Sequence, residues 1–323
     1  MVWGGRRLAT KLGKYLPDGE TYGESWEISD HPLHRSIVAS GPFAGTTLRH
    51  LMETCREELL GPGSTQATFP ILVKFLDCAD WLSVQVHPDE DAVKKLWPGE
   101  SSKTEAWFVL DAEPGSRIYA GLKPGVGERE MRAALKAGTV AECLHSFEPK
   151  PGDCVFLPAG TVHAVGGGVL LAEVQQTSDA TFRLFDWNRH DAQGKTRKLH
   201  IEEGLASIHW DLGPVSPLHV SGFAELKTCI VKPLVRCPYF VLEFVRATRI
   251  FSPNLLPRPT LILVLHGAGI LGDFKTGVPL SKGQSWFLPF HLGPIEIHPR
   301  GTLSLLACDI TNPHSPDRTL LAS

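Results

Sequence analysis

The sequence is short of the features that would place it in a membrane, on a nucleic acid or in an oxidising compartment. Its longest purely aliphatic run, LILVL at 261–265, falls far below the ~20 apolar residues needed to cross a bilayer. No charge of one sign dominates: 32 Lys and Arg face 35 Asp and Glu, for a formal net charge of −3. That balance leaves no electrostatic footprint for nucleic acid or an anionic membrane surface. The opening stretch MVWGGRRLATKLG lacks the apolar centre of a secretory signal. Cysteine is present but forms no pattern. Cys55, Cys78, Cys143, Cys154, Cys229, Cys237 and Cys308 include no C-x2-C pair and are odd in number. This argues against a cysteine metal site and for reduced, mostly buried thiols. A soluble, cytoplasmic protein is expected.

What the chain does have is punctuation. Its 31 Gly and 25 Pro divide it into many short apolar runs. SIVAS, ILVKFLD, LSVQVH, AWFVLD, DCVFLPA and VLLAEVQQ come early; YFVLEFVR, TLILVLHG, SWFLP and LSLLACD come late. Such runs predict a mainly β barrel or sandwich rather than a βαβ succession. Three segments read as helices. Residues 47–61 carry Leu48, Leu51, Cys55 and Leu59 on one stripe. PDEDAVKKLW places Pro88 and acids ahead of lysines, as the helix dipole favours. GEREMRAALKAG at 127–138 closes on a glycine. The Pro/Gly/Ser-rich DLGPVSPLHVSG at 211–222 marks a boundary, which gives an N-terminal domain 1–215 and a C-terminal domain 216–323. A G-x5-P pattern links the two, as Gly152 with Pro158 and Gly283 with Pro289. It suggests two related barrels, the second without the histidine of the first.

Four polar residues interrupt β-type runs: Gln85 and His87 in SVQVHP, Glu105 in KTEAWFVL, and His163 in PAGTVHAV. Alternate residues of a strand share a face, so Gln85 and His87 point one way while Val84 and Val86 point the other. Two imidazoles, a carboxylate and an amide oxygen form a borderline N/O set suited to Zn²⁺, with Mn²⁺, Fe²⁺ or Co²⁺ as alternatives. Singly, each residue reads better as a hydrogen-bonded core or edge residue; as a set they point to a metal more strongly, and the spacing leaves the choice open.

The stretch GDCVFLPAGTVHAV fits the second cupin motif through Gly152, Pro158, Gly160 and His163. The longer pattern of WGG (3–5), GESWEIS (23–29), FPILVKFLD (69–77), LSVQVHPDE (82–90), SKTEAWFVL (102–110) and PAGTVHAVGGGVLLAEVQQTSDATFRLFDWNR (158–189) resembles the type I mannose-6-phosphate isomerases, or phosphomannose isomerases. The resemblance runs from residue 3 to about 210 and implies a great deal. The fold would be mainly β, two cupin-type jelly-roll barrels with a few helices packed on the first, the second barrel degenerate and without metal. The metal would be one Zn²⁺ per chain on Gln85, His87, Glu105 and His163. The reaction would interconvert mannose 6-phosphate and fructose 6-phosphate through an enediol.

Arg183 would stabilise negative charge beside the reacting carbons, Glu173 would transfer a proton, and Lys103 would polarise or grip phosphate. Ser83, Lys103, Trp26 and Glu27 would line the substrate, and Asp186 would orient Arg183. The only partner implied is a small sugar phosphate, bound by a monomer or homodimer. The chain departs from the family before WGG, where members carry an additional strand, and it lacks the large helical insertion of longer members. Two other functions compete. A metal-cupin dioxygenase would need a richer histidine set, and a non-catalytic sugar-phosphate-binding cupin would be expected to have lost Arg183, Lys103 or a ligand.

Overall fold

The computed structural model describes residues 2–190, 194–220, 229–254 and 256–311. The chain divides into two compact units. The first combines Met1–Lys11, Tyr15–Ser25 and Val73–His219; the second combines Leu12–Lys14, Trp26–Leu72 and Val220–Ser323.

Two sheets make up the first unit. One is six-stranded, in the order Glu24–Ile28, Ile71–Cys78, Val169–Gln176, Glu105–Ala112, Asp153–Leu157, Leu218–His219; its first two strands continue into the second unit. The other is five-stranded, in the order Phe182–Phe185, Val84–Val86, His163–Val165, Ile118–Leu122, Leu144–Phe147. A core of Leu76, Trp107, Val109 and Leu171 from the first sheet packs on Ile118, Ala120 and Val165 from the second. Val84 and Val86 instead join Met131 and Leu205 in a cluster on the outer side of the five-stranded sheet. The helices Glu128–Ala137 and Ile201–Ser207 supply those two partners. Pleating therefore turns Gln85, between the valines, toward the space between the sheets.

Val169–Gln176 is buried along its whole length and lies between Ile71–Cys78 and Glu105–Ala112. That central place explains why it reads as an unbroken apolar run with only a few polar residues.

The second unit holds a five-stranded sheet, in the order Cys229–Arg236, Phe240–Ala247, Leu303–Ile310, Thr260–His266, Ser285–Leu288, and a three-stranded one of Val278–Ser281, Ala268–Leu271 and Ile297–Pro299. The repeated G-x5-P has a structural basis. Gly152 and Gly283 both adopt positive φ, 96° and 83°, at the turn that leads into the strands Asp153–Leu157 and Ser285–Leu288. A side chain at either position would be strained.

The mainly β class read from the sequence is what the structure shows. The sheets are open, and no closed barrel occurs among the described residues. Two local expectations change. The 47–61 segment is two short helices, Leu48–Thr54 and Arg56–Leu60, broken at Cys55 where φ is −136° and ψ 32°; both lie in the second unit. SIVAS forms no ladder strand and makes only the isolated bridge Ile37–Thr47.

Candidate active site

Cross-strand register assembles the site. In the five-stranded sheet Gln85 stands opposite His163 on one side and Arg183 on the other. Directly opposed residues share a face, so these three and Ser83, two before Gln85, project into one space. A bulge after Arg183 shifts the register before Phe185 meets Val84, a device that re-aims the bulged residue. From the facing sheet comes Glu105, paired with Gln175 and Leu157, with Glu173 opposite Trp107.

His87, Glu105 and His163 are buried, and their ligating atoms lie within 4.8 Å of one another. The Nε2 of His87 is 3.4 Å from Glu105 Oε2, and that of His163 is 3.3 Å from Glu105 Oε1. Each imidazole uses its other nitrogen on a backbone carbonyl: His87 Nδ1 on Ala180 at 2.9 Å, His163 Nδ1 on Thr161 at 2.8 Å. A carbonyl only accepts, so both Nδ1 atoms carry the proton and both Nε2 atoms present lone pairs. Two lone pairs thus face the two carboxylate oxygens, and Lys103 Nζ reaches the same space, 3.0 Å from Glu105 Oε2 and 3.2 Å from His87 Nε2. Acceptors crowded together in a dry interior repel unless positive charge joins them. This set fits a divalent metal, with backbone carbonyls that orient the ring nitrogens as they do for ligating histidines.

Gln85 touches the cluster through its amide nitrogen, 3.3 Å from His163 Nε2, while its oxygen accepts from Ser83 Oγ at 3.4 Å. A half-turn of the amide brings the oxygen to the cluster and sends the nitrogen to the Ser83 hydroxyl, which also accepts.

A ladder of buried charges leads away from the cluster. Lys103 Nζ lies 3.0 Å from Glu105 Oε2 and 4.0 Å from Glu173 Oε1. Lys74 reaches the same Glu173 oxygen at 3.8 Å and Glu24 at 3.3 Å. Burial lowers the His87 pKa to about 4, with Lys103 adding to the effect; burial lowers that of His163 too. Both are neutral at pH 7, as ligands must be. Burial penalises the Glu105 carboxylate, but Lys103 and His87 outweigh it and hold its pKa well below the usual range. Burial likewise opposes the Lys103 ammonium, and Glu105 and Glu173 more than compensate. Glu173 goes the other way. Burial and the neighbouring Glu105 raise its pKa against the pull of Lys103 and Lys74. Its Oε2 accepts from Trp107 Nε1 at 2.9 Å, while Oε1 has no hydrogen-bond partner.

Of the residues singled out from the sequence, Ser83, Gln85, His87, Lys103, Glu105, His163, Glu173 and Arg183 meet in the first unit. Trp26 and Glu27 belong to the second, where Trp26 packs edge-on to His31 and His34 and Glu27 accepts from Lys14 Nζ at 2.5 Å. Asp186 does not bond Arg183; its carboxylate holds Arg189 and Arg197. His200 accepts from the Arg183 amide through Nδ1 at 3.3 Å. Lys74 and Glu24 went unnoticed, although a lone lysine inside ILVKFLD carries the same signal as Gln85 inside SVQVH.

Fold and site together define an enzyme scaffold of the cupin kind, with a buried His–Glu–His cluster fit for a divalent ion. Comparison with known proteins narrows this. Residues 1–109 match the family model for the phosphomannose isomerase type I catalytic domain. The chain is 43% identical over 289 residues to mannose-6-phosphate isomerase of Streptococcus mutans, covering 89% of each chain. It is 33% identical to mannose-6-phosphate isomerase ManA of Bacillus subtilis, covering 92% of each. The crystal structure of the mannose 6-phosphate isomerase from Bacillus subtilis superposes with a TM-score of 0.84 at 31% identity, covering 96% of both chains. The chain belongs to the type I phosphomannose isomerase family.

Proposed function

We propose that this enzyme interconverts mannose 6-phosphate and fructose 6-phosphate with one zinc ion held by Gln85, His87, Glu105 and His163. The observation that carries the metal is the pair of Nε2 lone pairs converging on the buried carboxylate of Glu105, all within 4.8 Å of one another. When bound, the ion supplies positive charge beside the carbonyl and hydroxyl oxygens of the sugar, where negative charge develops.

The remaining work falls to this chain's own side chains. Aldose–ketose exchange removes a proton from C2 and from O2 and returns one to C1 and one to O1. Glu173, with its raised pKa and open Oε1, takes and gives the proton; such acid–base groups typically supply ~10²- to 10⁴-fold. Lys103, held cationic by Glu105 and Glu173, stabilises anionic oxygen. Arg183 is half-buried and bonded only to neutral oxygens, Ser83 Oγ at 3.3 Å and the Lys198 carbonyl at 3.0 Å. No carboxylate among the described residues pairs with it. Its charge therefore remains available to an enediolate or a phosphate. The protein acts in the cytoplasm.

The test is a coupled assay for isomerisation of mannose 6-phosphate, run on chelated protein and again after Zn²⁺ is supplied. Turnover that disappears and returns is expected. No turnover by protein with verified bound zinc overturns the reading for this substrate.

A further inference from the structure

The chain leaves the Arg183 strand through an unusual turn. Trp187 and Asn188 both adopt left-handed backbone, φ 56° and 54°, and are the only non-glycine residues with positive φ among those described. The Arg189 amide closes the turn on the Asp186 carbonyl at 3.0 Å. Asparagine tolerates this geometry, but for a bulky tryptophan it is strained and persists only where the surroundings enforce it. They do so here. The Trp187 indole donates to the Leu82 carbonyl at 2.6 Å, next to Ser83, and its ring packs on Trp81, Tyr119 and Phe185.

Asp186 lies at the base of the turn and is almost fully buried. One oxygen accepts from Arg189 Nη2 at 2.7 Å; Arg197 grips both, Nε donating to Oδ2 at 2.8 Å and Nη2 making a short contact to Oδ1. The residue after Arg197 is Lys198, whose carbonyl accepts from Arg183 Nη1. Two residues further on, the His200 amide donates to the Arg183 carbonyl at 2.8 Å. On its other side Arg183 Nε reaches Ser83 Oγ, which donates to Gln85. The guanidinium is thus fixed at two of its three nitrogens by neutral oxygens, and one of these is placed by the Arg197–Asp186 fork.

We propose that Asp186 and Arg197 are positioning residues: their fork, seated on the strained Trp187–Asn188 turn, holds the Lys198 carbonyl where it aims Arg183 at the substrate. The pair touches no reacting atom. Asp186 also neutralises charge that would otherwise crowd Arg183, so that two arginines next to it do not compete for the same anion. This inference rests on the catalytic place proposed above for Arg183.

The test is a kinetic cycle on the zinc-loaded full chain. Arg197→Ala is expected to lower kcat for mannose 6-phosphate by about 10- to 100-fold, with KM within about twofold and zinc content unchanged. Arg197→Lys is expected to restore part of the rate, since a point charge pairs with Asp186 but cannot fork it. In an Arg183→Ala background Arg197→Ala should cost nothing further. A wild-type kcat in Arg197→Ala overturns the proposal, as does an equal fold loss with and without Arg183. Should Arg197→Ala fail to fold, the same cycle with Arg197→Lys decides by the same criterion. A second readout needs no turnover: the Arg183 Nε–H resonance in a nitrogen-15 spectrum, identified by its loss in Arg183→Ala. Broadening or a large shift in Arg197→Lys is expected, and an unchanged resonance overturns the proposal. An inactive wild type with this response intact would count against the function and not against the positioning.

Discussion

Glu105 is a fully buried carboxylate set between His87, His163 and Lys103. Glu105→Gln keeps the shape and removes the charge that would hold the ion. Zinc content after dialysis, read by elemental analysis, should fall by more than the ~10- to 100-fold that loss of an outer-shell partner costs. The same substitution removes the nearest carboxylate from Lys103 and leaves Glu173 at 4.0 Å. Gln85, His87, Glu105 and His163 were legible in the sequence because each is a polar residue set into an apolar strand. Lys74 obeys the same rule and was passed over, for it matched no donor set. The contacts of Asp186 could not be read at all. They depend on a left-handed tryptophan, and nothing in the letters FDWNR announces backbone that packing imposes.

Helix Glu90–Leu96 shows what an element contributes to placing the site. It follows His87 directly, and its N-cap Asp89 accepts from the amides of Asp91 and Ala92 at 3.0 and 2.7 Å. The other Asp89 oxygen is 2.7 Å from His209 Nε2. Asp89→Ala should cost about 1 kcal/mol, the usual worth of such a cap, measured by urea unfolding. Burial opposes ionisation of Asp89, yet the amide of Ala92 and the His209 contact outweigh it and lower the pKa below its ordinary 3.8. The folded state therefore binds this proton less readily than the unfolded chain. The stabilisation is complete above about pH 4 and fades as pH falls below 3.8 toward the folded value. The gap between wild type and Asp89→Ala should narrow over that range. This helix was legible from Pro88 and its acids. The 47–61 helix was legible only as a continuous stripe, since nothing in its apolar pattern marks the break at Cys55.

At the scale of the molecule, the residues proposed to hold the metal come from both sheets of the first unit, Glu105 from one and His163 with its neighbours from the other. An ion there joins the sheets, so binding should register as global stability. Chelation should lower the melting temperature, and zinc at about 100 times its Kd should return roughly 2.7 kcal/mol, a rise of several degrees by calorimetry. An unchanged melting temperature would count against a shared site. The turn that the echo of Gly152 and Pro158 in Gly283 and Pro289 marks was legible; the assignment of Trp26–Leu72 to the second unit was not. Which strands a segment joins is a long-range property, and the run itself carries no mark of it.

The central place of Val169–Gln176 has a consequence for biosynthesis. The strands on either side of it, Ile71–Cys78 and Glu105–Ala112, leave the ribosome long before it does. Until it arrives they have open edges and nothing between them, a state in which apolar strands are prone to wrong pairing. His163 too is still missing, so the His–Glu–His cluster is incomplete until then. Folding of this unit should therefore be late and abrupt, as expected when contacts span long stretches of sequence. Ribosome-stalled chains should be cleaved readily by protease until residues 163–176 clear the exit tunnel, and gain resistance in one step thereafter.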